Sequence, residues 1–535
     1  MTVFGGTVAG LRMSLRLAGA ALIVVAAATA QASAMTPPIA GAAATERGGG
    51  VGVPAQPENA AGYPSQLRVS AGQEPSDLQE TLGRRLSFWS VAPFVLILLG
   101  IAIIPLVHGG WWESHVNKGV VSALCALPVL AYLLNHGPVG AEVLVDVLHE
   151  YYAFIVLLVA LFTISGGIYL EGDLRATPLV NTAFLALGAV MASFIGTTGA
   201  AMLLIRPLLR TNRERTRTTH VFVFFIFLVA NIGGALLPVG DPPLFLGYLY
   251  GVPFFWTMRA LWPMWLTAVA MLLAVFYVWD NYAYSKEPPA ALRRDDTRQT
   301  PLRLHGRVNV ALVAGVLIAA VYCRKYSLVT GQAVDLTWMQ QPAMLLLALT
   351  SFAIDYRKRE QARSAGDLRR TLTPRDHNHF TFAPMIEVAV LFFGIFVTMI
   401  PAVCLLKAHG AESGITEPWQ FFWMTGGLSS FLDNAPTYAT YFALGQGVTK
   451  GLLVSHPDLL VVAARTGPVA WHILAAISVG AVFMGANTYI GNAPNFMIRS
   501  ICEEARVRMP SFFGYMMYSG TVLIPTFVLL MLVYL

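Results

Sequence analysis

Residues 231–247 read N-I-G-G-A-L-L-P-V-G-D-P-P-L-F-L-G, and this stretch decides the fold. It lies inside a long apolar segment, yet Gly233, Gly234, Pro238, Gly240, Pro242 and Pro243 cannot all belong to one continuous helix, because Pro lacks the amide donor and Gly is entropically costly in a helix interior. Asp241 followed by Pro242 reads as an N-cap and the first position of a new helix. A helix that stops and restarts frees backbone groups that hydrocarbon cannot satisfy. Such backbone is tolerated only where it is buried in protein or lines a wet cavity. Broken helices of this kind hold ions in secondary transporters.

The pattern occurs twice. G-A-L-L-P-V-G-D-P-P-L-F at Gly234 aligns with G-A-N-T-Y-I-G-N-A-P-N-F at Gly485, so that Gly234 matches Gly485, Gly240 matches Gly491, Pro243 matches Pro494 and Phe245 matches Phe496. Asp241 falls opposite Asn492. Upstream of each motif, S-F-I-G-T-T at Ser193 aligns with S-F-L-D-N-A at Ser430. Two polar, breaker-rich motifs in the same order indicate an internal duplication, which with interrupted apolar segments points to a transporter binding site.

The chain has 535 residues, 56% hydrophobic and 12% charged, with mean hydropathy +0.61. Soluble domains carry about 25% charged residues, so the composition implies a protein with many membrane spans. The net charge of +6 comes from basic residues in short loops, where they set orientation and are no sign of nucleic-acid binding. Cys125, Cys323, Cys404 and Cys502 are scattered, with neither disulfide nor metal spacing.

At the start, Arg12 and Arg16, the apolar run 17–30 and Ala32-Ser33-Ala34 form the n-region, h-region and cleavage site of a signal peptide over 1–34, an uncleaved anchor being the rival reading. Ala, Gly, Pro and Ser then dominate, and 35–87 reads as a disordered extracytoplasmic segment. Apolar spans follow at 88–107, 119–135, 151–170, 180–205, 219–248, 254–279, 308–323, 341–355, 381–405, 419–445, 467–498 and 512–534. Those at 180–205 and 419–445 have polar centres, Gly196-Thr197-Thr198-Gly199 and Asp433-Asn434-Ala435-Pro436, and read as re-entrant hairpins.

If the hairpins do not cross, the loops at 206–218, 280–307, 356–379 and 499–510 share one face, and these hold most of the Arg and Lys. The positive-inside rule makes that face cytoplasmic, although Arg84 and Arg85 fall outside. The organisation expected is therefore a first span at 88–118, a first repeat at 119–280, a cytoplasmic linker with an additional span at 281–340, and a second, inverted repeat at 341–535. The fold class is an all-α polytopic membrane protein: an inverted repeat with two re-entrant hairpins, two broken helices and about 10 crossings.

Asp241 as a mere cap would contribute about 1 kcal/mol, against about 2.5–3.5 kcal/mol for placing a carboxylate mid-bilayer. Asn492 caps the matching helix without a charge, so capping alone does not account for the acid. Asp433 is the second such carboxylate, beside Asn434. Around them lie Thr197, Thr198, Asn231, Thr437, Asn487, Thr488, Asn492 and Asn495, and freed carbonyls such as that of Gly240. Such oxygens suit a hard cation. The candidate ion-binding set is Asp241, Asp433, Asn434, Thr197, Thr198, Asn231, Gly240, Thr437, Asn487 and Asn492, with Asp241 and Asp433 as the carboxylates for Na⁺. Glu387, a few residues into its span, is a candidate proton relay, an interfacial position being the alternative. Asp280 and Asp355 sit at span ends and are expected in water. Trp111, Trp112, Trp256, Trp262 and Trp265 read as interfacial anchors or packing, and His377 and His379 as loop residues.

The motifs G-A-L-L-P-V-G-D-P-P-L-F, F-L-D-N-A-P-T-Y and G-A-N-T-Y-I-G-N-A-P-N-F resemble those of the ion transporter superfamily over residues 88–535. Within it the chain looks most like sodium/proton antiporters of the NhaD type, which overlap with proteins labelled citrate transporters. The resemblance implies that hairpin tips and unwound helices form the sodium and substrate sites. Carried across, these are 193–198 with 234–241, and 430–437 with 485–492. Carboxylate-transporting relatives show Ser-Asn-Thr at the tips. This chain has Gly-Thr-Thr and Asp-Asn-Ala, which argues against carboxylate binding.

The function expected is electrochemically driven exchange of Na⁺ (or Li⁺) for H⁺ by alternating access. A water-free site favours the protonated carboxyl and a bound cation the ionised one, so the two ions compete. The alternative is a sodium-coupled carrier of citrate or another carboxylate, the anion held at half-helix N-termini. An intramembrane aspartyl protease also needs two acids, but 238–241 reads P-V-G-D where G-x-G-D is required. No enzyme activity and no cofactor are expected, Na⁺ and H⁺ being cargo. The partners are membrane lipid and small cations, with no nucleic acid; a homodimer is left open. The location is a bacterial inner (plasma) membrane, crossed many times.

Overall fold

Two helical hairpins and two interrupted helices form the middle of the molecule, and the other helices wall them in. The computed structural model describes residues 78–297, 299–323, 325–327, 333–364 and 372–535. The predicted signal peptide at 1–34, and 35–77 of the segment after it, lie outside the described residues. Residues 78–87 belong to the folded body, against the expectation of disorder. Helix α1 (Leu78–Gly83) buries Leu82 completely and packs on a long later helix, Ala383–His409.

In the first half α2 (Ala92–Val107), α3 (His115–Leu134) and α4 (Gly137–Gly166) lead to the hairpin α5 (Pro178–Ile195) and α6 (Thr197–Thr211). The hairpin turns at Gly196, whose φ of 79° needs a residue without a Cβ. Next, α7 (Thr219–Leu228) breaks into a tight turn at Ile232–Leu236, and α8 (Pro242–Leu249) restarts behind Asp241 before α9 (Trp256–Tyr284). The connecting region contains α10 (Arg307–Tyr322) and α11 (Gln340–Ser364). In the second half α12 (Ala383–His409) precedes the hairpin α13 (Pro418–Ser429) and α14 (Asn434–Ser455). There α15 (Trp471–Met484) breaks at Gly485–Asn487, α16 (Ala493–Glu504) restarts behind Asn492, and α17 (Phe512–Tyr534) ends the chain. Both interruptions predicted from Gly and Pro are present.

Small antiparallel ribbons tie loops down. β1 (Tyr169–Asp173) pairs with β2 (Thr300–His305), bringing the connecting region onto the first half. β3 (Lys325–Ser327) pairs with β4 (Ala333–Asp335), and β5 (Val461–Ala464) with β6 (Gly467–Ala470). Among the described residues eight helices are long and apolar enough to cross a membrane, and 307–322 and 471–487 are shorter apolar helices. The chain is an all-α, multi-pass membrane protein.

Two further expectations need correction. The span predicted at 151–170 begins at Gly137 and runs 30 residues to Gly166. Its early turns bury Val143, Leu144, Val147 and Glu150 on one side while Glu142, Asp146 and His149 face out, so an average over the segment conceals the helix. Asp280 and Asp355 are not solvated. Asp280 is fully buried, where it accepts from Arg215 Nη2 at 2.6 Å, His220 Nε2 at 2.8 Å and Asn181 Nδ2 at 3.0 Å. Asp355 is buried against Arg375. Each acid recruits an Arg from an adjacent basic loop, since an unpaired buried carboxylate is costly. Glu287 extends the first network. Burial would raise its carboxyl, but hydrogen bonds from Thr216 and the Arg217 amide, with Arg215 nearby, hold it below its ordinary value.

Candidate ion site at the broken helices

The two halves hold their broken helices by the same local contacts. Ser193 Oγ donates to the Gly233 carbonyl at 2.5 Å, and its aligned residue Ser430 donates to the Met484 carbonyl, the position aligned with Gly233, at 3.2 Å. Gly240 and Gly491 pass their own breaks too closely for any side chain. A Cβ would sit 2.2 Å from the Gly234 carbonyl oxygen at the first and 2.6 Å from that of Gly485 at the second. The duplicated glycines are the ones this approach requires.

The motif residues converge on one carboxylate. Asp241 is 1% exposed. Thr197 Oγ1 donates to its Oδ1 at 2.9 Å, Asn434 Nδ2 to its Oδ2 at 2.5 Å, and Asn492 Nδ2 approaches Oδ1 at 3.4 Å. Thr197 and Asn434 occupy the same place in the two aligned hairpin motifs, and Asn492 aligns with Asp241 itself. Equivalent positions of both halves therefore meet at a single acid. The Thr197 amide also donates to the Gly240 carbonyl at 2.9 Å, joining hairpin tip to break. Asn231 carries the contact between halves further: its Nδ2 donates to Asn495 Oδ1 at 2.8 Å, and its Oδ1 accepts from Asn492 at 3.2 Å.

Among the described residues no Lys, Arg or His is paired with Asp241. The Asn434 Oδ1 atom, on the amide that grips Asp241, is buried without a donor, and so is Asn487 Oδ1. A buried carboxylate held only by neutral donors, next to an amide oxygen that has no donor, can accept a proton or a small cation.

The other predicted residues divide. Asp433 is half-buried and caps α14, its Oδ1 accepting from the Ala435 amide at 3.1 Å. It is the chain neighbour of Asn434 and lies close enough to Asp241 for the two charges to interact. Asn487 donates to Ser430 Oγ at 2.9 Å, at the second tip. The Thr437 hydroxyl is spent on the Asp433 carbonyl at 3.0 Å. Thr198 is half-buried in the first turn of α6, with no hydrogen bond to Asp241. Glu387 is not at the site. Near the start of α12 it pairs with Lys118 at 2.7 Å, with its side chain 39% exposed, which is the interfacial alternative. Trp256 and Trp265 are buried packing groups, whereas Trp111 and Trp262 are exposed.

A protein-family model matches residues 83–535 and is described as "Putative citrate transport". The chain belongs to this family. Membership covers both halves and both broken helices, and with the apolar helices it makes this a multi-pass membrane protein of a transport family. No curated protein matches the chain.

Proposed function

We propose that the protein is a secondary transporter that exchanges Na⁺ (or Li⁺) for H⁺ by alternating access, with Asp241 as the shared carboxylate. The observation that carries this reading is the burial of Asp241 among Thr197, Asn434 and Asn492, donors that are all neutral. A carboxylate so placed needs either a proton or a cation. Asp433, Asn231, Asn487 and the Gly240 carbonyl complete the oxygen-rich surroundings. The loop charges support a pair of oppositely oriented halves in an inner membrane, with the basic loops cytoplasmic.

The second reading, a sodium-coupled carrier of citrate or a related carboxylate, is favoured by the family description and by the helix N-termini that begin at Pro242 and Ala493. Two acids near the tips oppose it, because they would repel a polyanion. Proteoliposomes under an imposed pH gradient test both. Proton efflux on adding Na⁺ or Li⁺, with no citrate requirement, is the result expected. Uptake of labelled citrate that needs sodium, without cation-driven proton movement, would overturn the exchange reading.

A further inference from the structure

Glu150 has no part in the site just described, yet it anchors a second polar feature. On α4 its side chain is 4% exposed, and its Oε1 accepts from Arg465 Nη2 at 2.6 Å, while the Arg465 side chain is 56% exposed. Arg465 stands at the tip of the β5–β6 ribbon. Its amide donates to the Tyr250 carbonyl at 2.8 Å, at the C-terminal end of α8. Beneath this tip lies a small open cleft, lined by Glu150, Gln79, Tyr250, Gln446 and Thr466 on its polar side and by Phe442 and its neighbours on the other.

The cleft communicates with the candidate site through two helices. α8 starts at Asp241 and ends at the cleft, about 13 Å away at 1.5 Å per residue. α14 starts at Asn434, one of the three residues that reach Asp241, and contributes Phe442 and Gln446 to the cleft wall. Between the two places stand aromatic rings. Phe154, one turn beyond Glu150 on α4, packs on Phe245, and Tyr250 packs on Phe442. The carbonyl end of α8 at the cleft favours a positive charge, and the Arg465 backbone and guanidinium supply donors there. Lys407, buried one turn beyond Cys404 of the cleft wall, reaches Gln79 Oε1 at 3.4 Å and is a second positive charge that acts on Glu150.

We propose that this cleft is an entrance for the transported cation, with Glu150 as its receiving carboxylate and Arg465 as a tethered cation that occupies the carboxylate until an ion displaces it. The inference rests on the exchange reading for the identity of the ion, and a labelling measurement tests it without that reading. Thr466→Cys, in protein whose four cysteines are replaced by Ser, is labelled with a cationic and an anionic methanethiosulfonate of similar size. Arg465→Ala is expected to raise the ratio of cationic to anionic labelling rates several-fold, and Glu150→Gln to lower it. In vesicles, Glu150→Gln is expected to raise the half-saturating Na⁺ concentration about tenfold, the equivalent of ~1.4 kcal/mol, with the maximal rate much less affected, and Arg465→Ala to lower it. Glu150→Gln keeps an oxygen for Arg465, and Arg465 is exposed, so both variants should fold. Unchanged labelling ratios in both variants would overturn the entrance. Exchange that persists with unchanged half-saturation in Glu150→Gln would do the same. If labelling shifts as expected but no cation moves protons, the exchange reading fails and the entrance stands.

Discussion

Replacing Asp241 separates its ionic role from its structural one, because Asn and Ala break different contacts. In Asp241→Asn the new amide can turn its oxygen to Asn434 Nδ2 and its nitrogen to Thr197 Oγ1, which then accepts. Only the 3.4 Å approach of Asn492 has no counterpart, and Asn492 keeps the Ala230 carbonyl and Asn231 Oδ1. The expected loss of stability is at most about 1 kcal/mol. In Asp241→Ala, Asn434 Nδ2 is left buried without an acceptor, at about 1–3 kcal/mol, and a cavity adds to this. Thermal unfolding in detergent should therefore rank wild type close to Asp241→Asn and above Asp241→Ala. Sodium-dependent dequenching of a pH-sensitive dye in proteoliposomes should be lost in both. Full dequenching by Asp241→Asn would refute the ionic role. Equal destabilisation by Asn and Ala would refute the hydrogen-bond account.

Asn434→Ala is expected to weaken Na⁺-driven exchange severely, whereas Thr437→Val leaves its Na⁺ dependence unchanged because that hydroxyl already serves the Asp433 carbonyl; rates against Na⁺ concentration compare them. Gly240→Ala and Gly491→Ala should each destabilise the fold by about 1–3 kcal/mol through backbone overlap, read as a lower unfolding midpoint. Asp280→Ala should cost about 3–5 kcal/mol by leaving Arg215 and His220 without their acid, and adding Arg215→Ala should cost less than the sum of the single changes. At the start of the β1–β2 connection, burial first and then Glu214 and Asp295 push the Asp173 carboxyl up to about 6. A folded state that holds this proton more tightly loses stability as pH rises from the unfolded value near ~4 through about 6. Asp173→Asn should therefore raise the unfolding midpoint at pH 8 and leave it unchanged below pH ~3.5.

The breaks, the hairpins and the identity of Asp241 were legible because Gly, Pro and an acid are each disfavoured inside an apolar segment unless the backbone breaks there. Aligning the halves also placed Thr197 opposite Asn434, the two residues that the structure brings to the same carboxylate. Depth and partners were not legible. Glu387 and Glu150 both lie near the edge of an apolar run, but Glu387 meets Lys118 near the surface whereas Glu150 faces inward because α4 starts 14 residues before the run predicted from Tyr151. Asp280 and Asp355 have the sequence surroundings of solvated span ends. Their buried partners, Arg215 and Arg375, come from loops whose charges read as orientation signals. Which charge of a basic loop turns inward is decided by tertiary packing, and no local pattern marks it.

The division of contacts around Asp241 bears on how such a site could move. Thr197 reaches it from the same half, and the Thr197 amide is fixed to Gly240, so hairpin tip and break behave as one piece. Asn434 and Asn492 reach it from the other half. Any rocking of one half against the other must therefore stretch the Asn434 contact before the Thr197 contact. A carboxylate can only accept hydrogen bonds, whereas its protonated form can also donate one. Asn434 offers both a donor, already on Asp241, and Oδ1, which has no donor. Protonated Asp241 can close a second hydrogen bond to that oxygen, and a bound cation can coordinate it. Under the exchange proposed above, either ion would join the two halves through the same amide. An ionised, unoccupied Asp241 would leave Asn434 Oδ1 unsatisfied and the carboxylate uncompensated, which makes the empty site the least favourable state to carry across. Exchange without leak requires that ordering of states.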